Sequence, residues 1–261
     1  MVTFSANLGF LWSELELPDA IRAAKAAGFE AVECHWPYEV APKRVKSALD
    51  ETGLVMLGLN TRRGDVAAGE MGLCALPGRE RDAVGAIEQA LGYAKAIGAK
   101  SIHVMAGNAQ GRPAHETFVR NLGVACSLTK DTGIDILIEP LNRFDAPEYF
   151  LRSVQQAKGI IEEVCQPNLK LMFDCYHVGR TEGDVIRELN AALPLIGHIQ
   201  FAAVPDRGAP DHGDLEYSAV FAEIDRLGWT RPLGAEYRPV GPVEASLGWM
   251  QRPAPANANM L

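Results

Sequence analysis

Four short apolar segments, each ending in a polar side chain that carries an oxygen atom, constrain what this chain can fold into. They end at Glu139, Asp174, Gln200 and Glu236, and a proline stops the first of them because it cannot continue a hydrogen-bonded strand. The end points are 35, 26 and 36 residues apart, about the length of one strand, one crossover helix and two loops. The spacing therefore predicts parallel strands whose carboxyl ends carry polar side chains.

Equivalent ends of parallel strands lie on the same side of a sheet, and in a closed barrel they converge on one mouth. Three carboxylates and one amide would repel one another there unless a cation lay between them. Oxygen ligands of this kind suit Mg²⁺ or Mn²⁺, and the lack of a His or Cys ligand cluster argues against zinc. For any one strand, the alternative is that its final acid marks the point where the chain leaves the core.

The rest of the chain repeats the same unit of strand and helix. Apolar segments alternate with segments that have helical spacing, from a first strand at residues 4–8 to a last helix at residues 243–250. Eight units without a break in composition predict an α/β fold, a single (β/α)₈ TIM barrel over residues 1–251, followed by a disordered tail at residues 252–261. An open doubly wound sheet is the alternative, although the first strand lacks the glycine motif of dinucleotide-binding folds.

Composition narrows the classes of function. The 261 residues carry a net charge of −8 with scattered basic residues, which disfavours nucleic acid or an anionic membrane as the main partner. Five cysteines without a C-x-x-C pair predict reduced thiols and a cytoplasmic location. No apolar run is long enough to predict a membrane span or a signal peptide. A small molecule is the expected partner.

A long loop at residues 61–79, punctuated by glycines, follows the third predicted strand. In a barrel the loops after the strands build the active site, and a loop of this length is uncommon without a function. We therefore predict a lid or a substrate-binding loop. A surface excursion is the alternative, because closing a long loop costs little free energy.

Six segments of the chain form a set that occurs in one known family. They are residues 76–79, 138–145, 173–177, 197–200, 205–207 and 236–239. Together they resemble the hydroxypyruvate isomerase family, which belongs to the xylose-isomerase-like TIM barrels and includes 2-oxo-tetronate isomerases. The resemblance covers residues 2–250. Arg62, Arg63 and Arg238 depart from the residues that the family often has at these positions, which could alter the choice of substrate.

The resemblance implies a metal held by the four strand-end residues, and substrate contacts from Asp145, His177 and Arg207. A guanidinium can bind a substrate carboxylate bidentately, although Arg207 could also be a solvated loop residue. His177 would bond to the substrate carbonyl or to a ligating carboxylate, or else cap the next helix. His103, Glu33 and Asn60 could line the pocket or be ordinary polar residues at the barrel rim.

Moving a carbonyl group between adjacent carbons requires a proton to leave one carbon and return to its neighbour. We predict Glu139 and Glu236 as the acid–base pair, both also ligands, with Asp174 and Gln200 as ligands only. Their order of action is left open.

The leading prediction is the isomerisation of hydroxypyruvate to tartronate semialdehyde through an enediolate, with 2-oxo-tetronate as the alternative substrate. A ketose 3-epimerase is less favoured, because those enzymes have a histidine where this chain has Gln200. A metal-dependent endonuclease would need a richer metal cluster and a basic groove. A catalytically silent binding protein for sugar acids is the third class. The sequence leaves the metal open between Mg²⁺ and Mn²⁺, and a homo-oligomer is possible.

Overall fold

The computed structural model describes residues 1–250, and its centre is a barrel of parallel strands. The strands are β1 (Phe4–Asn7), β2 (Ala31–Glu33), β3 (Val55–Met56), β4 (Gly58–Asn60), β5 (Ser101–His103), β6 (Asp135–Ile138), β7 (Leu169–Asp174), β8 (Ile196–Phe201) and β9 (Leu233–Ala235). Their order in the sheet is β3-β2-β1-β9-β8-β7-β6-β5-β4, and every pairing is parallel. The predicted tail at residues 252–261 lies outside the described residues.

The sheet closes on itself through the third predicted strand, which is divided at Leu57 into β3 and β4. The first piece pairs with β2 and the second with β5. Three backbone hydrogen bonds continue from β2 across the division: Leu57 donates to Val32 at 2.7 Å, Cys34 to Gly58 at 3.1 Å and Asn60 to His35 at 2.8 Å. The strands therefore occupy eight positions around a barrel. The prediction of a (β/α)₈ barrel is confirmed, and the open doubly wound sheet is excluded.

Helices connect successive strands. They are α1 (Leu17–Ala26), α2 (Pro42–Thr52), α3 (Glu80–Ile97), α4 (Gly111–Thr129), α5 (Val154–Val164), α6 (Cys175–Thr181), α7 (Val185–Ala192) and α8 (Tyr217–Arg226). Gly53 and Gly98 end α2 and α3 in the left-handed conformation, as their positions in the sequence predict. None of the helices within residues 1–250 is both long and apolar enough to cross a membrane.

Two local features differ from the sequence-based expectations. The helix α6 follows β7 directly, and it begins because the Asp174 carboxylate accepts a hydrogen bond from the Tyr176 backbone at 2.8 Å. The segment Val243–Met250 is a 3₁₀ helix rather than an α-helix. It places Trp249 against Phe4 and Phe201, with ring centres 4.9 and 5.3 Å apart, so aromatic packing holds a segment whose backbone bonds are weak.

The long loop at residues 61–79 is fastened to the end of β5. Cys74 and Ala75 donate backbone hydrogen bonds to Met105 and Ala106, at 3.2 and 2.7 Å. The closest approach is between two glycines: a Cβ atom on Gly107 would lie 2.2 Å from the Gly72 carbonyl oxygen. Gly107 also has a φ of +95°, which L side chains rarely adopt.

We therefore expect Gly107→Ala to lower the free energy of unfolding by about 1 to 3 kcal/mol, because the methyl group meets backbone that cannot move away cheaply. Gly123→Ala is the matched control. Gly123 lies in α4 with open space around its Cβ position, so alanine there should raise stability by about 0.5 to 1 kcal/mol. Urea unfolding of both variants measures the difference. Equal stabilities would contradict the close packing of the loop.

Candidate active site

The four strand-end residues of the sequence prediction lie at one mouth of the barrel. Asp174 and Gln200 are direct partners in the pairing of β7 with β8. Glu139 follows β6, and Glu236 follows β9, immediately beyond the residues that pair with β8. All four side chains are buried, with exposed fractions between 1% and 6%. The arrangement brings three carboxyl groups and one amide into a small volume that is closed to solvent.

Three of these side chains have an oxygen atom without a hydrogen-bond partner among the described residues. They are Glu139 Oε1, Asp174 Oδ2 and Gln200 Oε1. A buried polar atom without a partner is costly, and such atoms in native sites usually mark where an ion or a ligand binds. Glu139, Asp174 and His177 also offer atoms that all lie within 4.8 Å of one another. The three unpartnered oxygen atoms fit a divalent cation that prefers oxygen ligands.

Burial is the main cause of the unusual acidity of Glu139 and Asp174. It raises the pKa of Asp174 to about 8, and the charge of Glu236 adds to the shift. Burial raises the pKa of Glu139 well above its ordinary value, and the neighbouring charges of Glu236 and Asp174 act in the same direction. Both groups therefore favour the protonated state near neutral pH, unless a cation compensates their charge.

Glu236 is held in the opposite way. Its Oε1 atom accepts hydrogen bonds from Asn7 Nδ2 at 2.9 Å and lies 3.0 Å from His35 Nε2, while Oε2 pairs with the Arg207 guanidinium. Burial alone would raise the pKa of Glu236, but the charge of Arg207 and the bond from His35 outweigh it and lower the pKa far below its ordinary value. Glu139 and Glu236 are therefore two carboxyl groups in one site whose environments shift their pKa values in opposite directions.

His177 is fixed in one tautomer by its neighbours. Its Nδ1 atom accepts hydrogen bonds from the backbone N–H of Asn142 at 3.0 Å and from Asn142 Nδ2 at 2.7 Å. The orientation of that amide is set in turn, because its Oδ1 accepts from the backbone of Phe144 and Asp145. Burial lowers the pKa of His177 to about 3. The ring is therefore neutral with its proton on Nε2, 3.9 Å from Glu139 and 3.7 Å from Asp174, and it can donate to an oxygen placed between them.

His103 and Asp145 lie at the edges of the same site. His103 Nδ1 is 3.6 Å from Glu139 Oε2, and its buried Nε2 has no partner among the described residues. Burial lowers the pKa of His103 to about 4, so the ring is neutral. The Asp145 carboxylate accepts hydrogen bonds from Asn142 Nδ2 at 3.1 Å and from the Tyr176 hydroxyl at 2.9 Å.

Arg207 is an interior residue and not a solvated loop arginine. Its side chain is only 12% exposed, it pairs with Glu236, and it also lies 3.7 Å from Asp174 Oδ2. The guanidinium carbon is 4.8 Å from the ring centre of Phe10 and 5.0 Å from that of Tyr176. Burial would lower the pKa of Arg207, but the three nearby carboxylates raise it, so the group stays charged. Its Nε atom has no partner among the described residues.

Sequence reasoning missed several residues of the site, chiefly Asn7, Asn142, Tyr176 and His198. Asn7 ends β1 as the four strand-end residues end their strands, so the same signal could have found it. Asn142 and Tyr176 lie two or three residues beyond a strand end, where sequence gives no orientation. His198 lies inside the barrel and contacts Glu33.

Asn60, a candidate for the pocket lining, ends β4, and its backbone carbonyl accepts a hydrogen bond from Tyr38.

Comparisons with known proteins agree with this architecture. The family model described as a xylose isomerase-like TIM barrel matches residues 21–252. A 2-oxo-tetronate isomerase of Cupriavidus necator is 44% identical over 96% of this chain and 98% of its own length. The hydroxypyruvate isomerase of Escherichia coli K12 is 35% identical over 96% and 98%.

A solved structure from Brucella melitensis, titled an AP endonuclease of family 2, superimposes with a TM-score of 0.93 at 34% identity and covers 96% of this chain and 98% of that one. Full-length matches at these identities are decisive for the family, and the curated relatives above are named as isomerases. The chain belongs to the xylose isomerase-like TIM-barrel family, and it is an isomerase.

Proposed function

We propose that this enzyme interconverts an aldehyde and a ketone form of a short 2-oxo acid with the help of a divalent metal ion, and that hydroxypyruvate is its first candidate substrate. One observation carries the proposal. Glu139, Asp174 and Gln200 each have a buried oxygen atom without a partner among residues 1–250, and Glu139 shares the site with Glu236, whose pKa is shifted in the opposite direction. The first feature suits a cation, and the second suits an acid and a base.

The residues that would hold the metal are Glu139, Asp174 and Gln200, with Glu236 as the fourth. A bound Mg²⁺ or Mn²⁺ would stabilise negative charge on the substrate oxygens as the proton leaves carbon. Glu236 differs from the other three, because hydrogen bonds and Arg207 already occupy both of its oxygens. Its participation as a ligand therefore requires Arg207 to move toward the substrate.

The proton transfer needs one carboxylate that accepts and one carboxylic acid that donates. For hydroxypyruvate, a base removes a proton from C3, the resulting enediolate receives a proton at C2, and the hydroxyl proton passes from O3 to O2, which leaves an aldehyde at C3. In the metal-free protein the pKa of Glu236 is lowered and that of Glu139 is raised, so we assign the accepting role to Glu236 and the donating role to Glu139. A bound cation would lower the pKa of Glu139 again, so Glu139 must take up a proton before it donates one. The reverse reaction exchanges the two roles.

Substrate recognition falls to the other charged and polar residues of the mouth. The Nε2 proton of His177 is directed toward the site and suits a carbonyl or enediolate oxygen. We assign the substrate carboxylate to Arg207, since a guanidinium binds a carboxylate through two parallel hydrogen bonds. Asp145 and His103 lie at the edges and suit substrate hydroxyl groups.

A second candidate substrate is 2-oxo-tetronate, which has one more carbon. The relative from C. necator is named for this acid and is the more similar of the two curated relatives described above. The proton transfer from C3 to C2 is the same for both acids, although the carbonyl formed at C3 is an aldehyde in the three-carbon acid and a ketone in the four-carbon acid, so the site residues keep their roles.

Proton NMR in D₂O tests the proposal and separates the substrates. Protein supplied with Mg²⁺ or Mn²⁺ is incubated with hydroxypyruvate in one tube and 2-oxo-tetronate in another, and EDTA-treated protein is the control. We expect metal-dependent exchange of the proton on C3 in either case, with an aldehyde product from hydroxypyruvate and a 3-oxo acid, a ketone, from 2-oxo-tetronate. Conversion of the four-carbon acid alone would change the substrate and keep the mechanism. Silence in both tubes with metal bound would contradict the 2-oxo acid assignment and favour a ketose epimerase.

Several arginines lie on the segments that follow the strand ends, although the whole chain has a net charge of −8. Four arginines that follow strand ends stack on aromatic rings: Arg63 on Trp36, Arg143 and Arg180 on Phe144, and Arg238 on Phe10. We call these four residues the arginine collar. Among residues 1–250, no carboxylate forms an ion pair with any of them. Arginines that form no ion pair within the described residues can attract an anionic substrate such as a 2-oxo acid.

We expect Arg238→Gln to lower kcat/KM by about two- to fivefold at low ionic strength and to weaken its dependence on salt, because an exposed charge attracts the substrate through screened solvent. Lys25→Gln removes the same charge from the last turn of α1, which lies at the opposite end of the barrel. That control should behave like the wild type. An identical salt dependence in all three proteins would refute a role for the collar.

A further inference from the structure

A buried glutamate, Glu33, lies inside the barrel beneath the candidate metal site, where bulky apolar side chains usually fill a TIM barrel. It reaches across the interior from β2 to β8, two strands that are not neighbours in the sheet. Its Oε2 atom meets His198 Nε2, and its Oε1 atom accepts hydrogen bonds from Gln200 Nε2 at 3.1 Å and from Asn7 Nδ2 at 3.2 Å. Every hydrogen-bond partner of the Glu33 carboxylate among the described residues is therefore a buried polar side chain.

The contact with Gln200 determines which end of that amide faces the site. A carboxylate can only accept hydrogen bonds, so it selects the NH₂ group of the amide and rejects the carbonyl oxygen. With Nε2 bound to Glu33, the remaining atom of the amide is Oε1, which is buried and has no partner among the described residues. An amide turned the other way would offer an NH₂ group to the cation and could not be a ligand.

The backbone makes room for this arrangement at Gly234 in β9. A Cβ atom there would lie 2.3 Å from Glu33 Oε1, 2.8 Å from Gln200 Cγ and 3.0 Å from His198 Nε2. Gly234 thus lies against Glu33, Gln200 and His198 at once, and we call these three residues the cluster. A larger residue at this position would displace the Glu33 carboxylate and the Gln200 amide together. Their contact therefore requires a residue without a side chain at position 234.

The cluster also connects to the proposed base. Asn7 Nδ2 donates both to Glu33 and to Glu236, at 3.2 and 2.9 Å. Asn7 Oδ1 accepts from the backbone N–H of Gly9 at 2.9 Å, which fixes the orientation of this second amide. Glu33 therefore contacts Gln200, which is part of the candidate metal site, and Asn7, which also binds Glu236 of that site.

We propose that Glu33, held by His198, is a positioning residue that locks the Gln200 amide with its carbonyl oxygen toward the metal. The inference rests on the proposed function for the presence of the metal, but the direction of the amide can be measured without it. Residues that orient a ligand in this way commonly contribute about 10- to 100-fold to metal affinity.

The central variant replaces both members of the buried pair, Glu33→Leu with His198→Leu. Replacing both members of a buried polar pair by apolar groups is often tolerated, although Asn7 Nδ2 and Gln200 Nε2 lose an acceptor, so this variant should fold with a somewhat lower melting temperature than the wild type. Glu33→Gln is the conservative variant, because it keeps an acceptor oxygen for the Gln200 NH₂ group. The matched control is Glu163→Leu with His115→Leu, which removes a His and Glu pair 2.7 Å apart on the surface between α4 and α5.

Two measurements are made on chelator-treated protein. Electron paramagnetic resonance of free Mn²⁺ gives the metal affinity. Nitrogen–proton NMR gives the side-chain amide signals of Gln200, assigned by their loss in Gln200→Leu. We expect the Leu pair to bind Mn²⁺ about 10- to 100-fold more weakly, with the Gln200 signals shifted to positions typical of a mobile amide. Glu33→Gln and the surface control should stay within about threefold of the wild-type affinity.

The outcomes separate the inference from the proposed function. Unchanged Mn²⁺ affinity or unchanged Gln200 signals in the Leu pair would overturn the inference, as would an equal loss in the surface control. Wild-type protein that binds no Mn²⁺ would remove the proposed metal, while the NMR signals would still decide the direction of the amide. If the Leu pair does not fold, Glu33→Met alone is used. Wild-type Gln200 signals typical of a solvated amide would overturn the inference without any variant.

Discussion

Replacing Glu139 or Glu236 by glutamine is expected to lower kcat by about a hundredfold to ten thousandfold, because each variant removes a group that must gain or lose a proton during the reaction. Glutamine keeps the size and much of the hydrogen bonding of the original side chain, so the loss would reflect chemistry and not packing. The measurement is the rate of carbon-bound proton exchange and of aldehyde formation in D₂O with saturating metal.

The two variants should differ in their effect on the surroundings. Glu236→Gln removes the charge that pairs with Arg207, so substrate affinity should change together with kcat. Glu139 has no close ion pair with an arginine or lysine among residues 1–250, and its variant should affect mainly the chemical step. Glu148→Gln is the control, since this glutamate lies in the same loop after β6 and, within residues 1–250, forms a side-chain hydrogen bond only with Gln110 at the surface.

Turnover that survives in both variants would contradict the acid–base assignment. A binding protein without catalytic function would show no turnover in the wild type, and it would keep its affinity for the 2-oxo acid in Glu139→Gln and Glu148→Gln. Isothermal titration with hydroxypyruvate therefore accompanies the kinetic measurement. The comparison distinguishes loss of catalysis from loss of binding.

The sequence was sufficient for the barrel and for the polar residues at its mouth, because both depend on regular spacing. Strand ends that carry Asp174 and Gln200 had to meet once parallel strands were inferred, and they are direct partners in the sheet. The division of the third strand at Leu57 could not be predicted, because it depends on how the two edges of the sheet meet. The short helix α6 was not predicted either. Asp174 caps this helix, but the sequence analysis interpreted Asp174 as a metal ligand and not as the start of a helix.

Contacts across the barrel lay beyond the sequence. Glu33 and His198 are 165 residues apart, and their meeting depends on the inward direction of two strands that are not neighbours. The orientation of Arg207 toward Glu236, and with it the opposite pKa shifts of the two glutamates, depends equally on three-dimensional placement. Spacing along the chain thus indicates which residues lie at the same mouth of the barrel, whereas the chemical role of each residue depends on its burial and on the charges around it.

Metal binding is expected to strengthen with pH between about pH 6 and pH 8, by about tenfold per pH unit for each proton that the metal displaces. Burial raises the pKa of Asp174 from its ordinary value of 3.8 to about 8, and it raises the pKa of Glu139 as well. In chelator-treated protein Asp174 therefore holds its proton over most of this range, and the raised pKa of Glu139 acts in the same direction. A cation needs them ionised, so lower pH opposes its binding.

The sign of the stability effect follows from the same groups. A carboxyl group whose pKa is raised by folding binds its proton more tightly in the folded state, so its contribution is lost as the pH rises through the folded pKa of about 8. Glu236 remains ionised throughout, because its pKa is lowered, and His103 and His177 remain neutral with pKa values of about 4 and 3. We therefore expect the rise in melting temperature produced by saturating Mg²⁺ to be larger at pH 8 than at pH 6.

Calorimetric titration with Mg²⁺ in two buffers of different ionisation enthalpy counts the released protons directly. Asp174→Glu keeps a carboxylate ligand, whereas Asp174→Asn removes one titrating group and should reduce both the affinity and its dependence on pH. Melting curves in EDTA at each pH separate the effect of the metal from that of the protein alone. An affinity that does not change between pH 6 and pH 8 would mean that the buried carboxyl groups are already ionised before the metal arrives, and that the charges of Arg207 and its neighbours suffice to hold them so.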